Sequence, residues 1–268
     1  MLNWFYLSAL IMAIGSMALQ WQVARHSWLC IQTQQELSSR VHDLLPFALF
    51  LQFLASQLLF WQNWQPGLSV FNTLASISLL ICALLYLNTR YRPFHALYPW
   101  VLAINSFLLL AALLLPNWLL AKADWSWLLA SHIILALTSY SLLSMTGIMA
   151  LVLLIQTKQF RQHRISRAVF SLPPLQWTER LHFELLLLAF VCLTLAMSAG
   201  LVNQQSAQGL IWTYWHKGLG SLATWLILAA TLLGHLLAGW RGILAAKLTL
   251  AGLAVLSASY LITKLWLT

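Results

Sequence analysis

Long apolar runs alternate with short polar interruptions along almost the whole chain. Eight runs stand out, at roughly 2–23, 44–62, 68–88, 95–115, 127–156, 181–202, 217–237 and 243–264. About 20 apolar residues in helical form cross the hydrocarbon layer of a bilayer. Backbone polar groups in lipid must be satisfied internally, which a helix achieves. Each run therefore predicts a membrane-crossing helix. The second is the weakest, since Gln52, Gln57 and Gln62 interrupt it, and the fifth is longer than a crossing needs. Gln65-Pro66-Gly67, Pro116-Asn117 and Pro173-Pro174 punctuate the intervals. The longest interval, 157–180, reads TKQFRQHRISRAVFSLPPLQWTER and predicts a basic loop that touches anionic lipid or docks a cytoplasmic partner. The expected fold is all-α: one polytopic transmembrane domain over 1–268, a bundle of about eight transmembrane helices.

Composition agrees with lipid as the main solvent. Apolar residues make up 61% of the chain and charged residues 7%, against about 25% charged in an ordinary soluble domain. The net charge of +9 does not point to nucleic acid here, because the cations concentrate in alternate loops. Arg25, Arg40, Arg90, Arg92, Lys158, Arg161, Arg164, Arg167, Arg180 and Arg241 follow odd-numbered runs; Lys122 and Lys217 follow even-numbered ones. The positive-inside rule then places the odd loops in the cytoplasm and both termini on the outer, periplasmic side of a bacterial inner membrane. The first run lacks a basic n-region and an A-x-A site, so it is expected to remain as a helix. Cys30, Cys82 and Cys192 form no C-x-x-C or C-x-x-C-H pattern, which excludes a thiol–disulfide motif and covalent haem attachment. No hydrolase, kinase or P-loop pattern is present, and carboxylates are too few for a two-metal site. No autonomous catalytic activity is expected.

Chemistry-bearing residues are few enough to weigh singly. Ionisable groups at membrane depth are costly and tend to be functional. His132 lies near the outer end of the fifth run, His216 and His235 bracket the seventh, and His182 and His95 begin the sixth and fourth at the inner face. His216 and His235 are 19 residues apart, roughly 28 Å along a helix, too far to share one planar ligand. Two levels follow: an outer one with His132 and His216, and an inner one with His235 and either His182 or His95. Imidazole is a common axial ligand of haem iron; the plainer reading of each histidine is an interfacial, hydrogen-bonded side chain. Nine of the fifteen tryptophans fall at the expected outer face, among them Trp127 and the pair in WTYWHK, Trp212 and Trp215. A membrane aromatic belt accounts for any one of them, and together they could stack a flat macrocycle. Glu184 is the one carboxylate inside a predicted span and is expected to pair with a basic neighbour.

Three blocks resemble the cytochrome c assembly family, which includes the CcsA, CcmC and HemX proteins, and look most like its YpjD-like inner-membrane branch. They are LASHIILALTSYSLLSMTGIMALVLL at 129–154, LPPLQWTERLHFELLLLAFVCLTLAMSAGL at 172–201, and WTYWHKGLGSLATWLILAATLLGHLLAGWRG at 212–242. The resemblance spans 68–268. It implies a protein that handles non-covalent haem b in cytochrome c biogenesis or haem homeostasis, alongside other assembly or haem-delivery membrane proteins. It implies His132 and His235 as axial ligands of the iron and Trp212, Trp215 and Trp127 as a stacking surface, with His216 and His182 as candidates for the remaining positions. The chain departs from the family pattern in three places. His216-Lys217 stand where an acidic residue follows the tryptophans, no histidine follows the last run, and the second run carries Gln52 and Gln57 where a histidine is expected. A haem-free scaffold or regulator of the same fold, and a small-molecule transporter, are the alternatives.

Overall fold

The computed structural model describes residues 4–33, 39–60, 69–91, 94–115, 126–163, 166–206 and 211–266, and in it the apolar runs fold as helices. In chain order these are α1 (Trp4–Thr33), α2 (Ser39–Phe60), α3 (Val70–Tyr91), a 3-10 turn at His95–Leu97 leading into α4 (Tyr98–Leu114), α5 (Trp127–Arg161), the single turn α6 (Arg167–Phe170), α7 (Leu175–Ser206), α8 (Ile211–Ala238) and α9 (Ile243–Trp266). No strand occurs among the described residues. Among the described residues, seven helices are long and apolar enough to cross a membrane, and Asp43–Leu59 within α2 is a shorter apolar eighth. The protein is a multi-span membrane protein, as the pattern of runs predicts.

Two boundaries differ from expectation. First, α1 continues to Thr33, so Arg25 and His26 are helical rather than in a loop. Gln20, Val23, Ala24, Ser27 and Ile31 are all buried, and their spacing keeps one inward face through the polar stretch. Second, most of 157–180 is helical. α5 runs to Arg161, α6 forms a turn capped by Ser166, whose Oγ accepts from the Val169 N–H, and α7 begins at Leu175. The prolines start α7: the Pro174 carbonyl accepts from the N–H groups of Trp177 (2.9 Å) and Thr178 (3.3 Å). Proline is tolerated there because the first helical turn has no carbonyl to bond its missing N–H. Thr178, Leu181, His182, Leu185, Leu186 and Ala189 then form the buried face. His182 therefore sits two turns inside a helix instead of opening one.

The helices divide into two compact units, one of α1–α4 with α6, the other of α5 and α7–α9. In the first, Ala9, Ala13, Ala55, Ala75 and Ala112 interleave with Leu59, Leu109 and Leu113, small side chains that let apolar helices approach closely. At another depth, polar side chains bridge all four long helices. The Gln20 amide donates to Ser16 Oγ (2.9 Å) and Gln52 Oε1 (2.8 Å). The Gln52 amide donates to Asn105 Oδ1 (2.9 Å) and the Ala75 carbonyl (3.5 Å). The Asn105 amide donates to Gln20 Oε1 (2.8 Å) and Gln52 Oε1 (2.7 Å), and Ser78 and Ser106 hydroxyls donate to Asn105 Oδ1 (2.6 Å) and Gln20 Oε1 (3.1 Å). Each carboxamide thus uses two donors and two acceptor positions, its full capacity. The glutamine that makes the second run look weak is what ties it to its neighbours.

In the second unit α7 runs antiparallel to α5, with Ser139 Oγ donating to the Ala189 carbonyl at 3.2 Å. α9 packs against α5 at Gly147, where an added Cβ would come 2.6 Å from Leu253. α8 leans on α9 at Gly220, whose missing side chain leaves room for Ser259.

Candidate functional site

His132 lies in the second turn of α5. Its Nδ1 is 2.7 Å from the Ala196 carbonyl of α7. A carbonyl can only accept, so Nδ1 carries the proton and Nε2 keeps its lone pair. Nε2 makes no hydrogen bond among the described residues. The ring reaches the α7 backbone because position 200 is glycine: a Cβ there would lie 3.0 Å from Cε1 and 3.1 Å from Nδ1.

His235 repeats the arrangement at the opposite end of the unit. In the last turn of α8 its Nδ1 is 2.9 Å from the Trp240 carbonyl, which fixes the same tautomer. One face of the ring is stacked on Phe183 of α7, with centroids 3.6 Å apart and planes 16° from parallel. The G-W-R-G segment holds the acceptor in place. Gly239 (φ 65°) and Gly242 (φ 59°) take the left-handed backbone that favours glycine. The Trp240 N–H donates to the Gly234 carbonyl at 3.0 Å, and its indole lies where a side chain at Gly234 would be. The Gly242 N–H donates to Glu179 Oε1 at 3.0 Å, so a carboxylate of α7 caps the start of α9, where the helix dipole favours it.

His182 does not complete this level. It is fully buried, its Nε2 is 3.1 Å from Thr249 Oγ1, and its Nδ1 meets no hydrogen-bond partner among the described residues. Its ring stands edge-to-face with the same aromatic, Phe183, with centroids 5.1 Å apart and planes at 79°. His95 opens the turn before α4 in the first unit. Trp127 is the first residue of α5 and is 77% exposed. Trp212, Trp215 and His216 fall in the first turns of α8, and their side chains lie outside the described residues, as does Gln62. The unbroken α8 nevertheless keeps positions 216 and 235 at opposite ends. Glu184 pairs with Arg180 at 2.8 Å, one turn away, as expected of it. No cluster of three or more metal-ligating side chains occurs among the described residues.

Glu179, Phe183 and Gly200 shape the two histidine environments without any motif to announce them. Their partners lie across helices, so only packing exposes them. A difference in stability follows for the two carboxylates of α7. Glu179→Ala strands a backbone N–H in a partly buried turn and is expected to cost about 1.5–3 kcal/mol, the range for bonds to charged groups. Glu184→Ala removes a pair with side chains 71% and 45% exposed and should cost under about 1 kcal/mol. Denaturant titration of both variants in detergent checks the order, and equal losses would contradict it.

The sequence model of the family described as "Cytochrome C assembly protein" matches residues 38–268. That match begins earlier than the resemblance at 68–268. Two curated relatives are similar over most of their length. One is an uncharacterized 28.8 kDa protein in the nifR3-like 5' region of Azospirillum brasilense, 28% identical over 201 residues and 74% of each chain. The other is the inner membrane protein YpjD of Escherichia coli K12, 27% identical over 197 residues, 72% of this chain and 73% of that one. No solved structure matches.

Proposed function

Since the chain belongs to the cytochrome c assembly family, we propose that it is a haem-handling protein of the bacterial inner membrane, serving cytochrome c biogenesis or haem homeostasis, with both termini outside. The observation that carries the reading is the shared state of two imidazoles. His132 and His235 each give Nδ1–H to a backbone carbonyl and leave Nε2 uncommitted. This is how histidine ligands are usually held: the outer bond fixes the tautomer and aims the ring. These two residues fit one axial position at each level. His182 does not fit, because Thr249 takes its Nε2 and the ring is enclosed.

Bound haem would supply iron and a planar porphyrin, with any covalent chemistry left to partner proteins. The chain's own part is to bind and orient. The Ala196 carbonyl aims His132; the Trp240 carbonyl and the Phe183 face aim His235. Trp212, Trp215 and Trp127 would stack on the macrocycle at the outer level, where His216 is the candidate second ligand.

Protein purified in detergent from haem-replete cells should show a Soret band. Haem per chain should fall by about half in His132→Ala and in His235→Ala, and vanish in the double variant. A second reading, a haem-free scaffold of the same fold, is favoured by one fact: among the described residues, no second histidine stands open beside His235. A colourless wild type, or full haem content in the double variant, would decide for the scaffold.

A further inference from the structure

One helical face at the end of α5 changes character along its length. Leu154, Thr157, Lys158 and Arg161 follow at helical spacing, so they share one side. With Gln162 and with Ile243 of α9 they line a cleft of about 390 Å³. Depth along the helix sorts these groups by polarity: Leu154 is apolar, Thr157 carries a hydroxyl, and Lys158 and Arg161 are cations exposed at the helix end. Neither cation forms an ion pair with a described carboxylate. The helix has 35 residues, about 52 Å at 1.5 Å per residue, well beyond the roughly 30 Å of hydrocarbon. Its last turn therefore belongs at or above the headgroup layer.

Apolar, then hydroxyl, then doubly cationic is the complement of a phospholipid read from acyl chain through glycerol ester to phosphate. We propose that this cleft between the end of α5 and the start of α9 is a binding site for the headgroup of an anionic phospholipid. Lys158 and Arg161 hold the phosphate, Arg161 through its fork of N–H donors. Thr157 reaches the glycerol and ester oxygens, Gln162 borders the phosphate beyond Arg161, and the first acyl carbons lie along Leu154 and Ile243. The site is independent of haem, since neither candidate ligand lines it.

The test titrates phosphatidylglycerol into the full chain in a neutral detergent and reads the dissociation constant. Each surface cation contributes about fivefold in affinity for anionic lipid, so Lys158→Gln with Arg161→Gln should weaken binding roughly thirtyfold. Ile243→Gln should weaken it by a smaller factor. Arg180→Gln, which removes a cation outside the cleft, should leave it within about twofold. The cations are exposed, so the double variant should keep its helical circular dichroism. Equal affinity in the double variant, an equal loss in Arg180→Gln, or binding of soluble glycerol phosphate as tight as that of the lipid would overturn the proposal.

Discussion

Asn105→Leu is expected to lose about 2–5 kcal/mol of stability against unfolding in detergent. Asn105 makes four side-chain hydrogen bonds: it donates to Gln20 and Gln52 and accepts from Gln52 and Ser78. Hydrogen bonds between membrane helices average about 0.6 kcal/mol, with a maximum near 1.7, so the bonds alone account for about 2.4 kcal/mol. The rest comes from the partners left behind. Gln52 would keep an amide N–H without the Asn105 acceptor, and Gln20 and Gln52 would each lose one donor to Oε1; a stranded buried polar group costs about 1–3 kcal/mol. Ser106→Ala removes only one acceptor contact of Gln20 and should cost under about 1 kcal/mol. A melting curve for Asn105→Leu that overlays the wild type would show that the three carboxamides do not act as one network.

Gly234→Ala is expected to disturb His235 without touching it. The added methyl would fall on the Cδ2 and Cε3 atoms of the Trp240 indole. That is the body of a rigid ring, which moves only as a whole. Trp240 is also tied at both backbone groups, its N–H to Gly234 and its carbonyl to His235. Displacing the indole therefore shifts the acceptor that sets the histidine's tautomer. Overpacking of this kind costs about 1–3 kcal/mol. The expected readout is a lower unfolding midpoint together with a changed near-ultraviolet dichroism of the tryptophans. A stability within about 0.5 kcal/mol of the wild type, with the dichroism unchanged, would show that the turn is slack.

The division into crossing helices was legible because lipid leaves the backbone one local solution and the apolar runs carry its length. Helix ends were harder. Arg25 and His26 look like loop residues until Val23, Ser27 and Ile31 are seen to keep one face buried. Residues 157–180 look like a loop because cations and two prolines crowd there, yet the prolines mark where α7 begins. His132 and His235 stand out in the sequence by type and position. What orients them does not, since the acceptor for His132 lies 64 residues away on another helix. Places at the inner ends of different runs put His182, or else His95, at the level of His235, and the structure does bring His182 and His235 to Phe183. Its bond to Thr249, 67 residues away, depends on how α7 and α9 rotate against each other, which no single run encodes.

The carboxamide knot also bears on traffic through the first unit. Protons travel along groups that can both take up and release one, such as carboxylates, imidazoles and ordered water. Gln20, Gln52 and Asn105 neither ionise near neutrality nor have a spare lone pair to begin a relay. The network that joins the four helices at this depth therefore contains, in its three carboxamides, no proton relay.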